Sequence, residues 1–161
     1  MPLFNMAELR TQLRPGHRLI GLDPGAKQVG VALSDVLLTL ASPYGTWPRG
    51  KLRDAVARVT ALARVQEAGG LVAGLPLQMD GTFGPAAQAA RDWTLALSDA
   101  TGLPAAMWDE RLSTAAVNRF LVAEADMSRG KRAAVVDGMA AAYVLQAALD
   151  ASRPIRPETA T

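Results

Sequence analysis

The apolar positions follow a strand-like pattern in the first third of the chain and a helical one after it. RLIGLDPG and QVGVALSD are β-rich runs around a Gly/Pro turn, which predicts an antiparallel hairpin around Asp23-Pro24-Gly25. A third extended segment, roughly from Leu37 to Trp47, would continue this meander. Apolar residues then recur at helical spacing from about Gly50 to Ala68, and Gly69-Gly70 would end that helix.

The second half of the chain alternates short apolar strands with helices. LVAGLP is a wholly apolar run, which is typical of a buried central or parallel strand, and LPAAMWD is predicted to be the next buried strand. Helices are predicted over about 85–100, 113–125 and 131–151. The order predicts an α/β fold with a mixed five-stranded sheet, made of the antiparallel meander plus two parallel strands and flanked by helices on both faces.

The composition is that of one compact domain. The chain has 161 residues, 50% of them hydrophobic and 20% charged, which is enough for a single core. We expect residues 1–17 to form an N-terminal extension, 18–151 the domain and 152–161 a flexible polar tail. The net charge of +2 gives only weak support for a nucleic-acid partner.

Cysteine content and apolar run lengths exclude several classes. The chain contains no cysteine, which excludes disulfides, Cys-ligated zinc, iron–sulfur clusters and thiol catalysis. Its first residues lack the pattern of a signal peptide, and no apolar run is long enough to span a bilayer. We therefore expect a cytoplasmic protein without a membrane partner.

Three acidic positions stand out by their place in this pattern. Asp23 ends an apolar strand, Asp109 and Glu110 follow the buried strand AAMW, and Asp137 lies in the most apolar helix. Ligands in open α/β sheets gather at the carboxyl ends of strands, where a packed helix could bring the third acid. Carboxylates in a chain with no cysteine and one histidine favour Mg²⁺ or Mn²⁺, which suits phosphodiester hydrolysis.

Each acid also has a structural explanation. An Asp before Pro-Gly commonly caps its own turn, and the Asp109-Glu110-Arg111 segment could be a solvated loop with a local salt bridge. Asp137 could cap a helix break or face water. Spacing alone therefore does not establish a metal site.

Four segments carry a resemblance to a known family: LIGLDPGAKQVGVALSD, GLPLQMDGT, WDERLST and VDGMAAAYVLQAAL, in this order. They resemble the signature segments of the YqgF/RuvX family of Holliday junction resolvases and pre-16S rRNA nucleases, over roughly Arg18 to Leu149. The resemblance implies an RNase H-like fold and a catalytic carboxylate triad at Asp23, Glu110 and Asp137. These acids would bind Mg²⁺ or Mn²⁺, with two ions expected, and Asp109 could be a further ligand or a hydrogen-bonding support.

Several polar residues near these motifs are candidates for contacts with nucleic acid. Lys27 could hold a phosphate or be an ordinary turn lysine. Arg111 could hold a phosphate or form a salt bridge that orients a carboxylate. Gln78 and Thr82 lie in a loop whose backbone donors could approach nucleic acid, or which could be a simple turn around Asp80-Gly81.

A basic cluster opens the helix that carries Asp137. Its members are Arg129, Lys131 and Arg132. Helix N-terminal amides attract anions, so the cluster could steer a phosphate backbone toward the metals, although basic surface runs are usually only solvated.

The function that follows is a metal-dependent nuclease with nucleic acid as its partner. It would either resolve four-way DNA junctions, which calls for a homodimer that makes two symmetric cuts, or process the 5′ end of pre-16S rRNA in ribosome biogenesis. A second hypothesis is a non-catalytic RNA- or ribosome-binding factor of the same fold. A third is an actin-like ATP-dependent phosphotransferase, because DPGAKQVG resembles the first phosphate loop of that class.

Overall fold

The computed structural model describes residues 2–112 and 129–154, with the backbone alone for residues 129–137. The helix expected over 113–125 and the last seven residues of the expected tail lie outside the described residues. The elements are α1 (Met6–Gln12), β1 (Arg18–Pro24), β2 (Gln28–Ser34), β3 (Ala41–Pro48), α2 (Leu52–Gln66), β4 (Ala68–Leu75), α3 (Pro85–Thr101), β5 (Ala105–Asp109) and α4 (Arg129–Ala151). Within the described ranges, no helix is both long and apolar enough to cross a bilayer.

The five strands form one mixed sheet in the order β3-β2-β1-β4-β5. Strands β1, β2 and β3 form the antiparallel meander, and Asp23 of β1 pairs with Gly30 of β2. Strand β4 lies parallel to β1, and β5 lies parallel to β4. The predicted sheet is therefore confirmed, and the central position of β1 explains why its sequence is so apolar.

Alternation along each strand separates the two faces of the sheet. Ile20 and Leu22 of β1 belong to one core, against which α2 and α3 pack. Leu19 of β1 and Val72 of β4 belong to a second core, which also contains residues of α1 and α4. Because successive side chains point to opposite faces, Asp23 lies on the α4 face of the sheet.

Helix α4 packs unusually close to β1. A Cβ added to Gly21 would stand 2.9 Å from the Cβ of Leu145 and 3.2 Å from the carbonyl oxygen of Ala141. A larger residue at position 21 would therefore push the helix away from the sheet. This glycine lies two residues before Asp23, so it sets the depth of the helix beside the end of β1.

The direction of α4 follows from its contacts with β3. Gln146 accepts a hydrogen bond from the backbone N–H of Ala41, where β3 begins, at 2.8 Å. Eight residues earlier in the helix, Gly138 lies against Pro43, further along β3. Strand β3 runs in the same direction as β1, so the earlier residues of α4 approach the end of β1 that carries Asp23.

The N-terminal segment packs onto the domain. Asn5 caps α1 through a capping box with Glu8, and Met6 and Leu9 are buried in the second core. Phe4 donates its backbone N–H to a carbonyl of β5. The described part of the expected N-terminal extension is thus continuous with the core of the domain.

Gly69-Gly70 does not end α2, contrary to the sequence prediction. The helix ends at Gln66, and the left-handed residue that follows it is Glu67, with φ of +53°. Gly69 and Gly70 are residues of β4, and a Cβ on Gly69 would stand 2.7 Å from Nδ1 of His17. The glycines allow close packing on a strand, which a sequence pattern does not distinguish from a helix stop.

The extended segment expected from Leu37 also begins later. Residues 35–40 form a turn in which a carboxylate oxygen of Asp35 accepts the backbone N–H groups of Thr39 and Leu40, at 2.7 and 3.0 Å. Strand β3 starts at Ala41. Side-chain hydrogen bonds to the backbone therefore prevail over the β propensity of the apolar residues here.

Candidate active site

Asp23 lines a cleft at the carboxyl end of β1. The cleft has a volume of about 340 Å³, and its lining includes Gly25, Lys27, Gln28 and Gly30 beside the aspartate. Asp23 is half-buried, and Lys27 is exposed. The structure therefore brings Lys27, one of the predicted phosphate contacts, to the same cleft as the predicted metal ligand.

The β1–β2 turn below this cleft is held from two sides. Gly25 donates its backbone N–H to the carbonyl of Gln28 at 2.8 Å, and the Arg49 guanidinium donates to the carbonyl of Gly25 at 2.8 Å. Arg49 also donates its backbone N–H to the carbonyl of Lys27, at 2.9 Å. These bonds fix the backbone on which Lys27 stands.

Glu110 reaches Asp23 by crossing over Gly74. In the sheet, Leu22 pairs with Ala73, so Asp23 and Gly74 follow one step later on adjacent strands. A Cβ added to Gly74 would collide with Oε1 of Glu110 and stand 2.8 Å from its Cγ. The missing side chain at position 74 is the space that the Glu110 side chain occupies.

A hydrogen bond links the side chains of Glu110 and Asp23. Burial, this hydrogen bond and the negative charges of Asp23 and Asp109 together raise the pKa of Glu110 to about 8. Two neighbouring acids in a partly buried site repel each other when both are ionised, and a divalent cation bound by both would relieve this repulsion. This is the electrostatic situation that a metal-binding pair requires.

The raised pKa of Glu110 predicts how the stability of the metal-free protein changes with pH. The ordinary pKa of the glutamate is 4.5, so between about pH 4.5 and 8 the unfolded chain has released a proton that the folded chain retains. Folding is therefore favoured at the acidic end of this window and loses stability as pH rises. In EDTA, Glu110→Gln should flatten the dependence and be more stable than wild type at pH 8.

Glu110 is half-buried and solvent reaches it, which weakens the effect of its neighbours. We therefore expect the free energy of unfolding of Glu110→Gln at pH 8 to exceed that of wild type by about 1–2 kcal/mol, less than a fully buried acid would give. Urea unfolding at pH 5, 6.5 and 8 measures it. Glu67→Gln, the same substitution on the surface, should keep the wild-type pH dependence. If the free energy of unfolding depended on pH in the same way in wild type and Glu110→Gln, this account of the site would be contradicted.

Both carboxylate oxygens of Asp109 accept hydrogen bonds from Arg111. The Arg111 guanidinium donates to Oδ2 of Asp109 at 2.7 Å, and the backbone N–H of Arg111 donates to Oδ1 at 3.0 Å. These bonds hold the pKa of Asp109 below its ordinary value. Asp109 therefore orients the turn that carries Glu110, and the Arg111 side chain reaches over to Gly81, where a Cβ would stand 3.3 Å from its guanidinium.

Gln78 and Thr82 lie together in the β4–α3 loop, which we define as Pro76–Gly84. The Thr82 hydroxyl lies 2.8 Å from Oε1 of Gln78 and 2.6 Å from Oδ1 of Asp80. The backbone of Gln78 bonds to that of Thr82 and Gly81 as well. Gln78 and Thr82, the two predicted nucleic-acid contacts, therefore lie in the loop that follows β4, and their side chains form hydrogen bonds within that loop.

Asp137 lies in α4 next to Gly138, one helical turn before Ala141. The direction of α4 carries this position, and the basic residues before it, toward the Asp23 end of β1. Their side chains lie outside the described part of the structure. Among the side chains that are described, no group of three or more His, Cys, Asp or Glu residues could hold a metal ion, so Asp23 and Glu110 stand as a pair.

Two residues of the site were not singled out from the sequence. Gly74 makes room for Glu110, and Gln28 lines the cleft. A glycine near the end of a wholly apolar strand is a usable signal for close approach of another group. Gln28 carries no such signal, since its position becomes visible only when the hairpin is folded.

A mixed sheet in the order β3-β2-β1-β4-β5, with acids at the carboxyl ends of β1 and β5, defines a protein of the RNase H-like fold. The chain belongs to the RuvX family, whose model, described as Holliday junction resolvase, matches residues 17–151. A protein of Gluconacetobacter diazotrophicus is 62% identical over 94% of this chain and 99% of its own length. One of Gluconobacter oxydans is 60% identical over 98% and 99%. Both are named "Putative pre-16S rRNA nuclease".

Among solved structures, the chain is similar to the RuvC of T. thermophilus in complex with Holliday junction substrate. The TM-score is 0.45 at 19% identity, over 84% of this chain and 94% of that chain. The yeast mitochondrial Holliday junction resolvase Ydc2 gives a TM-score of 0.46 at 9% identity, over 90% and 85%. The family assignment rests on the sequence matches.

Proposed function

We propose that this protein is a divalent-metal-dependent nuclease whose active site is built on Asp23, Glu110 and Asp137. The observation that carries the proposal is the carboxyl pair of Glu110 and Asp23, held together over Gly74 at the carboxyl ends of adjacent strands. Asp137 is the proposed third acid, supported by the approach of α4 to the same end of β1. Membership of a nuclease family favours this function over an actin-like phosphotransferase or a non-catalytic factor.

The donor set fits a hard divalent cation. Asp23 and Glu110 offer only carboxylate oxygens, and no cysteine is present to favour a softer metal. These two acids, with Asp137, would hold Mg²⁺ or Mn²⁺, and two ions are consistent with three carboxylates. When bound, the metal would activate water and stabilise the developing charge of a phosphodiester.

The chain's own side chains supply the rest of the chemistry. Water adds to phosphorus as one P–O ester bond breaks, and negative charge grows on the phosphate oxygens. Lys27 lines the same cleft as Asp23, and its ammonium is proposed to hold a phosphate of the substrate. Arg129, Lys131 and Arg132, at the start of α4, are proposed to attract the adjoining phosphates together with the amides of that helix end.

We propose precursor 16S rRNA as the substrate. Relatives that carry the pre-16S rRNA nuclease name are 62% and 60% identical to this chain, over nearly all of both chains. A role in rRNA maturation would place the protein in the cytoplasm. The description of the family model favours a second candidate, the four-way DNA junction, for which a homodimer would have to make two coordinated cuts.

A cleavage assay on matched substrates tests the proposal. Precursor 16S rRNA, a four-way DNA junction and single-stranded DNA are incubated with the purified protein and Mg²⁺ or Mn²⁺, and the products are mapped. We expect metal-dependent cuts near the 5′ end of the 16S sequence. Paired symmetric cuts in the junction would instead favour the second candidate, and no cut in any substrate would reject the nuclease.

A further inference from the structure

The β4–α3 loop is bonded internally through its polar groups, while Met79 and Phe83 remain exposed. Asp80, Thr82 and Gln78 satisfy one another, and the backbone N–H of Gly81 bonds to the carbonyl of Gln78 at 2.8 Å. The Gln78 amide also folds back over Gly84, where a Cβ would overlap its nitrogen. These bonds preorganise the turn and engage part of its polar groups within the loop.

Two apolar side chains flank this polar turn and face solvent. Met79 is 93% exposed and Phe83 is 46% exposed. An isolated exposed apolar residue is ordinary, but here a methionine and a phenylalanine are displayed by the same rigid turn. Their joint exposure on one turn makes this loop a candidate contact surface for another molecule.

The loop stands directly beside the proposed active site. It follows β4, whose Gly74 lies beneath the Glu110 carboxylate, and the backbone N–H of Glu110 bonds to the carbonyl of Leu75 at 3.1 Å. The Arg111 guanidinium lies over Gly81 in the middle of the turn. A ligand that meets Met79 and Phe83 therefore approaches the Arg111–Asp109 ion pair and the carboxyl groups of the proposed active site.

Nucleobases are the chemistry that suits this combination. A base offers a flat apolar face to a phenyl ring or a thioether, while its backbone offers phosphate to a guanidinium. Paired bases bury their faces in the stack, so such a contact selects unpaired nucleotides. An apolar protein partner would gain nothing from the adjoining carboxylates, whose charge would oppose its desolvation.

We infer that Met79 and Phe83 form a base-contacting element that selects unpaired nucleotides next to the bond to be cut. The inference rests on the proposed nuclease function, since it names the kind of substrate segment that this site receives. It assigns recognition to the apolar side chains of the loop, in place of Gln78 and Thr82.

Photocrosslinking tests the contact without requiring cleavage. Asp23→Asn protein is irradiated with a single-stranded RNA that carries 5-iodouridine, which forms adducts with aromatic and methionine side chains, and the adducts are located by mass spectrometry. We expect adducts at Phe83 or Met79, and few when the same uridines are paired in a hairpin. Adducts confined to Tyr44 or Trp47, or none in the loop, would overturn the inference.

Cleavage kinetics supply the second test. In Mn²⁺, the variant Met79→Ser/Phe83→Ser should lose about tenfold in kcat/KM on an RNA with an unpaired cut site, mainly through KM, because one base contact is lost. Leu37→Ser removes another exposed apolar residue, which is 76% exposed in the β2–β3 turn, and should behave as wild type. Equal kcat/KM for the double variant and wild type would overturn the inference.

The two proposals can fail separately. If wild type cuts no substrate but the loop still crosslinks to unpaired RNA, the nuclease function is rejected and the base contact is retained. If wild type cuts RNA and the loop neither crosslinks nor affects KM, the nuclease function stands and the base contact is rejected.

Discussion

Asp23→Asn is expected to lower metal-dependent cleavage by about a thousandfold while leaving the fold intact. The substitution keeps the size of the side chain but removes its negative charge, and Asp23 is the acid that Glu110 is positioned to meet. Cleavage of precursor rRNA in Mn²⁺ measures the loss, and Asp137→Asn should behave in the same way. Binding of RNA by fluorescence anisotropy should be largely retained, because the proposed cationic contacts are unchanged.

Asp92→Asn is a matched control for this prediction. Asp92 lies on the exposed side of α3, where it accepts a hydrogen bond from Gln88 at 2.8 Å. The same change of charge there should leave cleavage at the wild-type level. Full activity in both Asp23→Asn and Asp137→Asn, each purified free of contaminating nuclease, would remove the basis for the proposed site.

Gly74→Ala is expected to lower kcat by about tenfold to a hundredfold, although it adds a single methyl group. The new Cβ would occupy the position of the Glu110 carboxylate, so this side chain must move away from Asp23. Gly74 is a positioning residue, since it acts only through Glu110. Steady-state cleavage in saturating Mn²⁺ measures the effect.

A double-mutant cycle separates this effect from a general loss of structure. In Glu110→Ala protein the carboxylate is absent, so the further change Gly74→Ala should cost no additional activity. Thermal unfolding of each variant checks that β4 still pairs with β1 and β5. Additive losses in the cycle would mean that Gly74 supports the sheet and does not position Glu110.

Local patterns in the sequence were sufficient for much of the fold. The alternation in β1 and β2, the glycine turn between them and the helical spacing that begins after Trp47 depend on neighbouring residues, and these elements lie where they were expected. The prediction failed at Gly69-Gly70 and after Leu37. In both places a side chain from elsewhere, or a side-chain hydrogen bond to the backbone, decides the conformation.

The sequence identified Asp23 and Glu110 as acids at strand ends, and the family resemblance named them as partners. It did not show how they meet. That depends on the register of β1 against β4, which brings Gly74 beside Asp23 and leaves a path for the Glu110 side chain. Register is a property of packed strands, so no local pattern contains it.

The sequence by itself therefore determined the order of strands and helices, the mixed sheet and the residue types that a hard metal ion requires. Only the tertiary structure decided that Asp109 is bound to Arg111, that Glu110 shares a hydrogen bond with Asp23, and that Met79 and Phe83 are both exposed on the β4–α3 loop. The reason is physical. Secondary structure follows from neighbours along the chain, whereas the partner of a polar group is set by residues that folding brings together from distant positions.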